Sequence, residues 1–170
     1  MREYIEIDNL SFGYERSDSL YIQLSHKFEK DKKHAIVGAS GVGKTTLLRI
    51  IMGLETPNSG TISFSRNDAF YRPRIGYVSQ SYSLFPWLSV YENIALGANG
   101  LEIEAEELVQ RVTSLCDRFD ITDAMDLFPK ELSGGMKQRT AVARALCSQP
   151  DVLCFDEPFS ALDIANKRQA

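Results

Sequence analysis

The run Gly38-Ala39-Ser40-Gly41-Val42-Gly43-Lys44-Thr45 constrains this chain more tightly than any other segment. It lies between a short apolar run, Ala35-Ile36-Val37, and a stretch in which Leu47 and Ile51, and Leu48 and Met52, recur at helical spacing. Strand, glycine-rich turn and helix in that order form the template of a loop whose backbone amides surround a phosphate chain. Bulky side chains would block the approach, and Gly38, Gly41 and Gly43 permit it. Lys44 is placed to reach the β and γ phosphates of a nucleotide, and the hydroxyl of Thr45 is a hard oxygen suited to Mg²⁺. Ala39, Ser40, Val42 and Thr46 complete the expected phosphate-binding set, and the positive end of the helix beginning near Gly43 adds attraction for the anion. By itself this P-loop leaves kinases, GTPases and motor ATPases open.

A length of 170 residues, 44% hydrophobic and 25% charged, suits one globular domain with a real core. The formal net charge of −4 and a pI near 5.2 give no electrostatic reason to expect nucleic acid as a partner, because phosphate neutralisation needs clustered Lys and Arg. Cys116, Cys147 and Cys154 form no C-x-x-C pair and are odd in number, which argues against a disulfide framework and for a reducing compartment. The segment Met1–Glu6 has no signal-type apolar core, and no uninterrupted apolar run approaches the length of a membrane span. Membrane association is therefore expected through a partner.

Loose alternation over Tyr4 to Tyr14, with Ile5, Ile7, Phe12 and Tyr14 apolar, predicts one or two half-buried strands broken near Asn9. Leu20 to Phe28 repeats the pattern, and Ala35-Ile36-Val37 reads as a central parallel strand feeding the glycine loop. The helix after the loop should stop at Gly53 and pack its apolar face on the sheet. Pro57 to Gly60 reads as a turn, Thr61 to Phe64 as a strand, and Ile75 to Val78 as another that ends at Gln80. From Val90 to Phe119 the period becomes helical, with Leu108, Val112, Leu115 and Phe119 on one stripe. A further helix runs from Gly135 to about Cys147, so a helical insertion is expected over about 84–148, inside a single domain spanning 1–170. Val152-Leu153-Cys154-Phe155 is a buried-strand run.

Asp156 and Glu157 close that run, so they emerge together at the carboxyl edge of the sheet, where ligands gather in open α/β folds. Asp156 is expected to hold magnesium, and Glu157 to polarise the attacking water as general base. Taken alone, the pair could equally be an acidic turn before Pro158. Upstream, Ser133 is a favourable N-cap, and Gly134-Gly135 leaves the first amides of the next helix open to an anion such as a γ-phosphate. Spacing alone does not separate this reading from a flexible cap with Met136, Ala143 and Leu146 in the core.

The run Leu132-Ser133-Gly134-Gly135-Met136-Lys137-Gln138-Arg139 resembles the signature of ATP-binding cassette (ABC) proteins, and the resemblance covers nearly the whole chain. Val152 to Glu157 looks like the family's Walker B strand, Ser160-Ala161-Leu162-Asp163 like its D-loop, and Gln80 like its Q-loop glutamine. Tyr14 stands where the family's aromatic residue stacks on adenine, although a strand aromatic can simply be packed. The resemblance implies an α/β P-loop NTPase (RecA-like) core with an N-terminal antiparallel β subdomain and a helical insertion. It implies Mg²⁺ and ATP as cofactors, and head-to-tail dimers in which Ser133, Gly134 and Gly135 clasp the nucleotide held by the phosphate loop of a second ATP-binding subunit. Gln80 would sense magnesium and the attacking water, and Asp163 would line the contact between subunits.

Leu84 to Gly97 is similar to the same region in importers of the nitrate, sulfonate and taurine class, where it faces the coupling helix of a membrane permease. Its aromatic and apolar residues are equally suited to being the insertion's own core. The resemblance implies a subunit peripheral on the cytoplasmic face of a bacterial inner membrane, working with a permease and, indirectly, a solute-binding protein. Family members carry a histidine switch on a strand beyond the catalytic glutamate, whereas this sequence runs to Ala170 and His26 and His34 precede the loop. C-terminal strands are accordingly expected to be missing from the sheet, leaving a marginally folded chain with little turnover. The alternatives are a nucleotide-binding remnant without turnover and a soluble cassette ATPase of translation or DNA repair.

Overall fold

A computed structural model describes residues 4–14, 20–65 and 73–157. The chain divides into two compact units, Met1–Pro73 and Arg74–Ala170. The D-loop stretch Ser160–Asp163 lies outside the described residues.

In the first unit β1 (Tyr4–Phe12) is the centre of an antiparallel sheet ordered β2-β1-β3, with β2 at Tyr21–Glu29 and β3 at Ser59–Ser65. The expected break at Asn9 is a β-bulge inside one continuous strand: Asn9 has φ 48° and the register shifts between Ile7 and Leu10. That shift matters because side chains alternate along a strand. Ile5 and Ile7 precede it at odd positions and Leu10 and Phe12 follow at even ones, yet all four are buried. The bulge returns both apolar pairs to the covered face.

Helix α1 (Lys44–Ile51) buries Thr46, Leu47, Ile50 and Ile51. It stops at Gly53 as the sequence predicts. Gly53 sits at φ 74°, its amide donates to the Ile50 carbonyl, and the Leu54 amide donates to Arg49, which satisfies the last carbonyls in a Schellman arrangement. Ala35-Ile36-Val37 is not a strand: it has no regular secondary structure, and Val37 is 90% exposed. A parallel strand exists only by ladder bonds to neighbours, and no described strand of this unit pairs with it.

In the second unit β4 (Ile75–Val78) and β5 (Val152–Phe155) form a parallel pair in the register Ile75↔Val152 to Val78↔Phe155. The helical stretch predicted as one pattern is broken into α2 (Val90–Ala95), a short 3₁₀ turn (Leu96–Ala98) and α3 (Ala105–Arg118). α4 (Gly134–Cys147) follows. Ser89 caps α2 by accepting from the Glu92 amide, while the Glu92 carboxylate accepts from the Ser89 amide. Val90, Ile94, Val112, Cys116, Leu132, Ala143 and Cys147 form one core joining the three helices.

The stretch Leu84 to Gly97 therefore divides by position. Val90 and Ile94 are buried, and Leu84 and Tyr91 pack against the core. Phe85 and Trp87 face outward with ring centroids 5.4 Å apart. Asn93 is fully buried beneath them: its amide donates to the carbonyls of Phe85, Leu88 and Ser89, and its oxygen accepts from the Phe85 amide at 2.8 Å. One side chain thus ties the whole 85–89 loop to α2.

Candidate functional site

The glycine loop of the first unit turns directly into α1. Gly41 and Gly43 hold φ 80° and 103°, a left-handed region that side chains disfavour, and Gly43 is the helix N-cap. Lys44 folds its Nζ back to the carbonyls of Gly38 and Ala39, at 3.1 and 3.0 Å. Those bonds hold the ammonium over the loop it would serve. Among the described residues, no protein group accepts the backbone N–H groups of Ser40, Gly41 or Gly43, and the loop is exposed from Gly38 to Val42. Amide donors without a protein acceptor, beside a cation at a helix start, suit a polyphosphate.

Two tyrosines brace this turn, of which the sequence indicated only one. Tyr21, at the start of β2, donates its hydroxyl to the Gly43 carbonyl, and burial raises its phenol above the ordinary range, so it remains a donor. Tyr14 lies 3.4 Å from the Thr46 hydroxyl, stands edge-on to Phe12 at 5.0 Å, and is 47% exposed. A partly open ring beside the loop's helix is compatible with stacking on a base. The Thr45 side chain is exposed and Thr46 is buried.

In the second unit the parallel register brings the ends of β4 and β5 to one edge. Gln80 follows β4, Asp156 and Glu157 follow β5, and the Gln80 amide donates to Glu157 Oε2 at 3.0 Å. Asp156 is buried; its amide bonds Val78 and its Oδ2 accepts from the Tyr77 hydroxyl at 3.1 Å. Glu157 is exposed with φ 50°. A left-handed glutamate turns its carboxylate off the strand direction, a kind of strain that clusters at functional positions. Tyr77 was not anticipated, though its place on β4 opposite Cys154, two residues before Asp156, could have indicated it.

Ser133 caps α4 by accepting from the Met136 amide at 3.2 Å. Ser133, Gly134 and Gly135 are exposed, and a Cβ added to either glycine would meet nothing within 4 Å. The packing of this chain does not require glycine there. Arg139 reaches from the same helix to the carbonyls of Phe119 and Asp120, fastening α4 to the end of α3.

Sheet, glycine loop and helical segment together define an α/β protein of the P-loop nucleotide-binding class. Residues 21–160 match the ABC transporter family, and the chain belongs to it. It is 40% identical to the sulfate/thiosulfate import ATP-binding protein CysA of Vibrio cholerae, over 97% of this chain and 46% of that protein. It is 35% identical to the ergothioneine transport ATP-binding protein EgtV of Helicobacter pylori, over 99% of this chain and 81% of that protein. To the nitrate import ATP-binding protein NrtD of Synechocystis it is 45% identical, over 78% of this chain and 50% of that one. The chain thus spans about half the length of CysA and NrtD. A solved inward-facing metal-chelate type ABC transporter superposes with TM-score 0.81 at 29% identity, over 99% of this chain and 65% of that one. CbiO1 of Clostridium perfringens, part of the ABC transporter complex cbiONQ, gives 0.81 at 28%, over 98% of this chain and 71% of that one. Among the described residues no helix is long and apolar enough to cross a membrane.

Proposed function

We propose that the chain is the ATP-binding and ATP-hydrolysing part of an importer, working as a pair of copies on a membrane permease. The observation that most supports this reading is the hydrogen bond from Gln80 to Glu157 at the carboxyl edge of β4 and β5. It couples a neutral amide to the carboxylate that chemistry at that edge needs as a base. Lys44 and the loop amides would bind the phosphates, Thr45 of the first unit and Asp156 and Gln80 of the second would supply oxygen ligands for Mg²⁺, and Glu157 would take the proton of the attacking water. Tyr14 stacks on the adenine. Ser133, Gly134 and Gly135 contact the nucleotide of the second copy, which accounts for two glycines that local packing leaves unexplained.

The relatives named for sulfate, ergothioneine and nitrate support transport as the coupled work, with solute choice residing in other subunits. Phe85 and Trp87, turned outward on a loop that Asn93 ties to α2, are the surface offered to the permease. The subunit sits at the cytoplasmic face of the membrane. A calorimetric titration with Mg·ATP tests the reading. Saturable binding is expected, weakened by Lys44→Ala about 10- to 100-fold, the equivalent of one or two charge-assisted bonds. Equal affinity in parent and variant contradicts it.

A further inference from the structure

The segment that follows Gln80 is gripped by the helix that begins at Gly134. Arg144, on the third turn of α4, donates Nη1–H to the Ser83 carbonyl and Nη2–H to the Tyr82 carbonyl, both at 2.8 Å. Those two residues stand in consecutive left-handed conformations, φ 62° and 47°, which side chains ordinarily avoid. Their carbonyls turn toward the guanidinium because of it. The Tyr82 amide donates to Ser79, and the Ser83 hydroxyl lies 2.7 Å from that of Ser79, so the turn closes on the residue just before Gln80. Among the described residues no carboxylate is within ion-pair distance of Arg144, and burial lowers its pKa from the ordinary guanidinium value. A partly desolvated fork with only carbonyl partners holds them or loses its solvation. The backbone of Arg144 is fixed as well, since a Cβ on Gly97 would strike its carbonyl.

We infer that Arg144 is a positioning residue, which locks the Tyr82–Ser83 turn to α4 so that the orientation of the signature helix sets where Gln80 meets Glu157. The inference rests on the proposed function insofar as Gln80 and Glu157 act in hydrolysis. It gives α4 two ends with linked tasks. Ser133, Gly134 and Gly135 report on the second copy's nucleotide, and Arg144 carries the helix's position to the base.

Arg144→Lys tests this, because lysine keeps the charge and the apolar stem but lacks the planar fork. Hydrogen exchange at the Tyr82 amide should accelerate, while the α1 amides stay unchanged. ATP turnover should fall about 10- to 100-fold, the scale of a misplaced catalytic group, with KM for ATP within about twofold. In a Gln80→Ala background the same substitution should change turnover by less than about twofold, since the two act on one path. Unchanged exchange at Tyr82, faster exchange with parental turnover, or multiplying effects of the two substitutions would overturn the inference. Arg144→Gln, a shorter planar donor, is the second variant, and failure of both to fold would assign Arg144 to stability alone. A parent without ATP turnover would sink the functional reading, while exchange at Tyr82 would still decide whether Arg144 holds the turn.

Discussion

Gln80 and Glu157, 77 residues apart in sequence, meet through a 3.0 Å hydrogen bond at the ends of two neighbouring parallel strands. Glu157→Gln preserves an acceptor oxygen for Gln80 and removes only the basic carboxylate. ATP turnover should therefore fall about 10²- to 10⁴-fold with affinity for Mg·ATP nearly unchanged. Steady-state hydrolysis alongside a binding titration separates the two, and turnover at the parental rate would remove Glu157 from the role of base.

Gly135 has open space where a Cβ would go, and it lies in the first turn of a helix. Gly135→Ala should leave thermal stability unchanged or raise it, since alanine is favoured over glycine in helices by about 1 kcal/mol. ATP turnover should nevertheless drop under the proposed function, in which the added methyl would meet the second copy's nucleotide. Thermal melting and a turnover assay on the same preparation give opposite signs if the assignment holds. A fall in both would make the glycine a local folding requirement instead.

Asn93→Ala leaves the Phe85 amide and the Leu88 carbonyl without a partner, while the carbonyls of Phe85 and Ser89 keep the backbone amides of Leu88 and residue 93. The second unit should lose about 1 to 3 kcal/mol in a urea titration, the penalty of stranded polar groups. Trp87 is the sole tryptophan and lies in the affected loop, so its anisotropy should fall in the variant even where the protein remains folded.

The three thiols are buried and free. Burial pushes Cys116 up to about 11, with Cys147 adding to the effect, and pushes Cys154 up to about 11. A folded-state pKa above the unfolded one near 9 means that the native state keeps its protons longer as pH rises. Their contribution to stability is complete below pH 9 and is lost between 9 and about 11. Denaturation midpoints should fall across that window, and replacing Cys116 and Cys154 by alanine should flatten the fall. Alkylation at neutral pH should be slow until denaturant is added.

Local signals reported the elements that depend on local chemistry. The glycine loop, the stop at Gly53 and the Ser133 cap stand where residue type and spacing put them. Val152 to Phe155 is a strand as expected, but not a buried one: Cys154 alone is buried and Phe155 is 40% exposed, because β5 pairs with β4 alone among the described strands. Ala35 to Val37 differs because a strand is a relation between segments, and its apolar character says nothing about which neighbour supplies the ladder. The bulge at Asn9 was legible only as an interruption, since alternation cannot distinguish a broken strand from a one-residue slip. Arg144, Asn93 and Tyr77 escaped for a related reason: each bonds groups fixed by the tertiary fold. A polar residue between buried Val90 and Ile94 was the one available hint for Asn93.

The most direct test of the account is the mass of the Glu157→Gln protein in solution, measured by light scattering with and without Mg·ATP. Doubling of the mass at saturating nucleotide, abolished by Ser133→Arg, is the result that the proposed pairing of two copies through their nucleotides predicts. Saturable ATP binding with no change in mass would contradict it.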